Sequence, residues 1–315
     1  MTQLTRRRLM QSATLAGMGM MSEPVLHAAE QTGRRAPVRF CLNTSTIRGQ
    51  NLTLEQQVDL AADCGYDGIE PWVREIEAHR DAGKSVSDLA KRIADRGLKV
   101  ESAIGFAPWI VNDQTQRQAG LEQLRRDMDL VRQLGGTRLA APPIGMQKPE
   151  HDLVALPVAA ERYAAAVRIG RDIGVVPMVE VWGFSRNLSR LGESVFVAIE
   201  SGEPEACLLP DVYHIYKGGS AFEGLHMLGA SAIPCFHFND YPAQPGRAEI
   251  DDSYRVFPGD GVAPWPVIME TLRQIGFSGV ASLELFNREY WKRDAKEVAT
   301  TGLQKMKALF ARHGW

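Results

Sequence analysis

The chain has 315 residues, with 36 Lys+Arg against 38 Asp+Glu and a net charge of -2. At 44% hydrophobic and 23% charged residues it has globular composition, which excludes a disordered or collagen-like protein. Four cysteines cannot form a disulfide framework, and near-neutral charge removes the electrostatic basis for binding nucleic acid or a membrane surface.

The N-terminus reads as an address rather than as fold. Arg6-Arg7-Arg8 precedes the uncharged stretch 9–21, which is rich in Ala, Gly, Met and Leu, and Ala28-Ala29 follows. Thirteen residues are too few to span a bilayer, which takes roughly 20. The order of basic, short apolar and small residues predicts a twin-arginine-type export signal over 1–29, a linker over 30–37 and a periplasmic, soluble product. Residues 1–29 carry three Arg and one Glu, so the remainder carries -4.

From residue 38 onward, apolar runs alternate with helical patterns. Strands are predicted at 38–43, 68–73, 98–106, 137–141, 176–182, 206–211, 233–240 and 279–286. Helices are predicted at 54–64, 87–96, 120–134, 157–173, 193–200, 222–228, 265–275 and 295–313. The runs are continuously apolar, as expected for parallel strands buried on both faces. Eight units without a break in composition predict a single-domain (β/α)8 TIM barrel over 38–315. A doubly wound sheet would carry a glycine-rich turn after its first strand, where this chain has Asn43-Thr44-Ser45.

Barrels of this type place their chemistry at the C-terminal ends of the strands. Strands five to eight end in Glu180, Asp211, His237 and Glu284, each embedded in apolar sequence. Three carboxylates and an imidazole converging there would repel without a cation between them. An oxygen-rich set with one nitrogen suits a single divalent ion, Mn²⁺ first, with Mg²⁺, Co²⁺ or Zn²⁺ as alternatives. His214 could be a fifth ligand, a donor to substrate or a structural residue. Trp182, Phe106, Trp109, Phe286 and Trp291 follow strand ends, where they could stack on a sugar or pack in the rim. Glu70, ending strand two, could contact substrate or bond to backbone.

The motifs Val179-Glu180-Val181-Trp182-Gly183, Asp211-Val-Tyr-His214, His237-Phe-Asn-Asp240, Arg255-Val-Phe-Pro-Gly-Asp-Gly261 and Glu284-Leu-Phe-Asn-Arg-Glu-Tyr-Trp291 resemble the xylose isomerase-like barrels. The last two resemble the inosose (2-keto-myo-inositol) isomerase branch. The resemblance spans 38–313. It implies Glu180, Asp211, His237 and Glu284 as metal ligands, His214 and Arg255 as substrate contacts, and a dimer or tetramer as an unsurprising assembly. Two features depart from the pattern: the export signal, and Arg186, which stands where ketose 3-epimerases carry a carboxylate.

The expected activity is isomerisation or epimerisation of a sugar or cyclitol through a metal-stabilised enediolate, with Glu180 and Glu284 as the acid/base pair. The competing reading on the same metal site is a lyase acting on 3-keto glycosides. A metal endonuclease would need more histidines than the seven present and a basic face, and a two-lobed sugar binder would not need four ligands on successive strands.

Overall fold

The structure, a computed structural model, describes residues 37–315. The predicted export signal and all but the last residue of the predicted linker lie outside these residues.

Eight strands appear in the predicted order: β1 Arg39–Asn43, β2 Gly68–Glu70, β3 Lys99–Val100, β4 Arg138–Ala141, β5 Val176–Glu180, β6 Leu208–Leu209, β7 Cys235–Phe238 and β8 Val280–Leu283. All pairings between them are parallel. Five strands run β3-β2-β1-β8-β7 and three run β4-β5-β6. Isolated bridges at Ile104–Ala140 and Asp211–His237 join the two groups, so the strands form a closed barrel.

The outer ring is built from α1 Leu54–Cys64, α2 Val73–Asp81, α3 Val86–Asp95, α4 Gln114–Gln133, α5 Leu156–Ile173, α6 Leu191–Glu200, α7 Val212–Gly218, α8 Trp265–Gln274 and α9 Ala295–Arg312. Local signals set the ends. Thr53 opens α1 with a capping box to Gln56, Ser85 caps α3, Asp113 caps α4 and Asp294 caps α9. Gly65 and Gly174 close α1 and α5 in the left-handed conformation.

Two helices differ from expectation. In α2, Val73-Arg-Glu-Ile-Glu-Ala-His-Arg-Asp81, only Val73, Ile76 and His79 are buried, too thin a stripe to read as periodicity. After β6 the helix begins at once, at Val212, because the Asp211 side chain accepts from the His214 backbone N–H and caps it. The weak helix predicted at 222–228 is a 3-10 turn, Phe222–Met227.

Cys41, Ile104, Ala140, Met178, Cys207, Leu209, Cys235 and Val280 fill the barrel interior, and a larger cluster lies between strands and helices. Cys41, Cys207 and Cys235 are free, buried core residues, as read from their place in the strands. Among the described residues no helix is long and apolar enough to cross a membrane.

Candidate metal and substrate centre

The polar residues that end the strands meet at one mouth of the barrel. His237, in β7, is fully buried. Its Nδ1 lies 3.2 Å from Glu284 Oε2 and 3.6 Å from Asp211 Oδ2, and it has no hydrogen-bond partner. Donor atoms of Asp211, His237 and Glu284 all lie within 4.8 Å of one another. Ligands about 2.1 Å from one ion stand roughly 3.0–3.4 Å apart, so these separations suit a shared cation. The unpartnered buried nitrogen facing two carboxylates fits that use as well.

Each of the three is held from behind. Asp211 Oδ1 accepts from the His214 N–H at 2.8 Å, and its Oδ2 accepts from Asn239 Nδ2 at 2.9 Å. Asn239 Oδ1 in turn accepts from the Tyr213 N–H. Glu284 Oε1 accepts from Asn43 Nδ2 at 3.1 Å. His237 Nε2 donates to Glu70 Oε2 at 3.1 Å. That oxygen also accepts from Asn43 Nδ2 at 2.9 Å and Ser282 Oγ at 2.6 Å.

Glu70 Oε2 therefore bonds to side chains rather than to backbone. Burial pushes its carboxyl up, but the charge and hydrogen bond of His237, with Ser282 and Asn43, outweigh this and hold it below the usual range. His237 shows the reverse balance: burial pulls it down, while Glu284, Glu70 and Asp211 raise it well above an ordinary histidine. A second grouping, Glu70, Cys235 and His237, uses the same imidazole. Burial pushes the Cys235 thiol well up, which makes it a poor ligand.

Glu180 stands at the edge of the cluster rather than within it. Its Oε1 is 3.9 Å from His214 Nε2. Burial, opposed by His237 and reinforced by Glu284 and Asp211, raises its carboxyl well above the usual range. Burial also pushes His214 down to about 3, which keeps the ring neutral. A neutral imidazole has one lone pair to offer, so the Gly183 N–H at Nδ1 and Arg255 Nη2 at Nε2 compete for it.

Arg255 is 1% exposed and sits among the carboxylates. Its Nη1 donates to Asp211 Oδ2 and to Glu284 Oε2, both at 2.9 Å. Its Nε donates to Asp252 at 2.8 Å. The guanidinium is thus a counter-ion to three acids. Trp182 is half-buried beyond β5, and its backbone N–H donates to Leu188. Arg255 lies 4.6 Å from the Tyr213 ring centroid and 5.0 Å from that of Phe286, while Trp72 donates its indole N–H to Asn43 and packs on Phe106 and Phe286. Trp109 is a core residue, its indole N–H bonded to Ala141 and Pro142. Arg186 points away and donates to the carbonyls of Pro149 and His151.

Sequence reading missed Asn43, Asn239 and Ser282. Asn43 was visible as the polar end of strand one, by the criterion that found the acids. Asn239 and Ser282 carried no such signal.

Comparison with known proteins agrees with this fold. The sequence profile described as Xylose isomerase-like TIM barrel matches residues 58–309. An inosose isomerase of Bacillus velezensis is 24% identical over 279 residues, 88% of this chain and 98% of that protein. An L-ribulose 3-epimerase of Mesorhizobium japonicum is 26% identical over 75% of this chain and 76% of its own length. The crystal structure of the IOLI protein with a zinc atom superposes with a TM-score of 0.81 at 22% identity, covering 88% of this chain and 99% of that one. The chain belongs to the xylose isomerase-like TIM barrel family.

Proposed function

We propose that the protein is an isomerase or epimerase of sugars or cyclitols that uses one divalent cation held by Asp211, His237 and Glu284, with Glu180 closing the set. The observation that carries this is the buried His237 Nδ1, free of hydrogen bonds and facing two carboxylate oxygens. Relatives named inosose isomerase and L-ribulose 3-epimerase support the reaction class. The zinc atom in the IOLI structure supports a divalent ion, with Mn²⁺ our first choice for an oxygen-rich set.

Such an ion would polarise a substrate carbonyl and its neighbouring hydroxyl and so acidify the proton on the carbon between them. The chain's own groups then divide the proton handling. Glu284 is pinned at Oε1 by Asn43 and at Oε2 by Arg255, so its carboxylate is fixed in place. Glu180 lacks such a counter-ion, and burial favours its protonated form. One carboxyl takes the proton and the other returns it, at the same carbon for epimerisation or at its neighbour for isomerisation. His214 lies beside Glu180 and is a contact for a substrate oxygen. Trp182 is a further candidate wall for the sugar, and Arg255 acts by fixing Asp211 and Glu284.

The test is deuterium exchange at the substrate α-carbon, followed by NMR in D2O over a panel of ketoses and inososes, with metal analysis of the protein. Exchange that needs a divalent ion and is lost in both Glu180→Gln and Glu284→Gln is expected. Full exchange in both variants would sink the acid/base assignment, and elimination products would move the reading to a lyase.

A further inference from the structure

Arg48 is a cation that the proposed chemistry does not use. It lies in the 3-10 turn Thr44–Gln50, directly after β1, at the end of the barrel where the acids converge. Its guanidinium carbon sits 3.9 Å above the Trp72 ring and 5.3 Å from the Phe286 ring. Trp72 follows β2 and Phe286 follows β8, the two neighbours of β1 in the sheet. Arg48 Nε and Nη2 are both inaccessible to solvent and have no hydrogen-bond partner.

The nearby acids bond to other donors, and none bonds to Arg48 Nε or Nη2. Glu75 accepts from Thr44 Oγ1 and the Trp72 N–H. Glu284 accepts from Asn43 and Arg255, and Asp252 from Arg255. The other close charge, Arg74, is a second cation, 4.4 Å from the same Trp72 ring. Burial and then Arg74 pull the Arg48 guanidinium down to about 10, against the smaller upward pull of Glu75, Glu284 and Asp252. The faces of Trp72 and Phe286 attract it but accept none of its N–H bonds. Sealed donors of a charged group left unpaired are costly, so the arrangement calls for an anion.

The position says which anion. Arg48 and Arg255 lie 5.3 and 5.0 Å from the centroid of the one Phe286 ring, and Arg255 donates directly to Asp211 and Glu284. Trp72, under Arg48, donates through Nε1 to Asn43, which donates to Glu284. A small molecule whose carbonyl end lies at the acids would carry its far end to Arg48. Resting on the function proposed above, we propose that the substrate is acidic, its carboxylate or phosphate ester being taken by Arg48 with help from Arg74. Arg48 is then the residue that selects charged over neutral sugars and cyclitols.

The mounting is specific. A Cβ on Gly49 would stand 2.2 Å from Trp291 Cβ, so only glycine lets the turn seat against that residue. Trp291 Nε1 donates to Ser45 O at 3.0 Å and fixes the turn's other end.

The experiment titrates the metal-loaded full chain by calorimetry with glucose, glucuronate and glucose 6-phosphate, and repeats this on Arg48→Met and Arg48→Lys. At least a tenfold preference for one acidic sugar over glucose is expected, falling to about one in Arg48→Met and partly kept in Arg48→Lys. The carboxylate and phosphate arms show which group is taken. No preference in the wild type, or one that survives Arg48→Met, overturns the proposal. Deuterium exchange separates the two readings. Exchange of neutral ketoses with no acidic preference rejects the Arg48 site alone. An Arg48-dependent preference without exchange on any substrate rejects the isomerase reading and keeps the anion site.

Discussion

Glu70 and His237 are joined at 3.1 Å across 167 residues of sequence, and this bond decides which face of the imidazole is offered to the acids. With Nε2–H given to Glu70, Nδ1 is the nitrogen turned toward Asp211 and Glu284, and it becomes the ligand once a cation displaces its proton. A carboxylate behind a ligating histidine fixes its tautomer and raises its basicity. Replacing Glu70 by Leu is therefore expected to weaken divalent-ion binding about 10- to 100-fold, with Glu70→Gln falling between. Competition against a chromophoric chelator measures this, and unchanged affinity in Glu70→Leu would contradict it.

Arg255 offsets carboxylates that are otherwise buried together. Removing one partner of a buried ion cluster costs about 3–5 kcal/mol, so Arg255→Met should lower the midpoint of urea unfolding sharply. A divalent ion supplies part of the missing positive charge. Saturating Mn²⁺ should then stabilise Arg255→Met more than it stabilises the wild type. Equal increments would show that the guanidinium and the ion act independently.

Asp240 holds the long connection between β7 and α8. Its Oδ1 accepts from the backbone N–H of Tyr241 and of Ala263, and its Oδ2 from the Gly259 N–H and the Trp265 indole. Asp240→Ala leaves those donors without an acceptor in a site closed to water. A loss of about 3–5 kcal/mol is expected, and Asp240→Asn should lose less. Chemical denaturation gives the value. Arg255 leaves the same connection, so divalent-ion affinity should fall along with stability.

Asp127, on α4, gives a pH dependence that involves no site residue. Burial first, and then Glu77, lift its carboxyl from 3.8 to about 6. A carboxyl whose folded pKa is raised binds its proton more tightly when folded. Its cost to stability is absent below pH 3.8, grows as pH rises, and is complete above about 6. Asp127→Asn should therefore stabilise the protein on the order of 1–3 kcal/mol at pH 7.5 and hardly at all at pH 4. Equal gains at both pH values would point to packing instead.

The barrel was legible because β-branched and aromatic runs recur between helices, and a strand buried on both faces shows itself as an unbroken apolar run. The acids Glu180, Asp211 and Glu284 stood out for the same reason: a charge inside such a run needs a cause. Glu70 had the same signature in Gly68-Ile-Glu70, but its reason lies on β7, too far along the chain for local pattern to reveal. Asp211 was read as a strand end, whereas one of its oxygens caps a helix and the other faces the cluster. Arg255 lies in an irregular connection whose path depends on the cup around Asp240, so its role as counter-ion had no local sign. Arg48 was invisible because what sets it apart is a lack of partners, which exists only in the folded chain.

The mouth of the barrel is sewn shut where the first and last strands meet. Thr46 Oγ1 donates to Leu283 O and accepts from the Leu285 N–H, and Gln50 donates to the carbonyls of Tyr290 and Arg293. Asn43 reaches Glu284 across 241 residues. During synthesis the first wall of the site is made early and waits for the last strand. A chain stalled before β8 would hold Asn43 and Glu70 without Glu284, and Arg48 over Trp72 without Phe286. Such a fragment should bind neither ion nor sugar, so activity arrives all at once as the final unit leaves the ribosome.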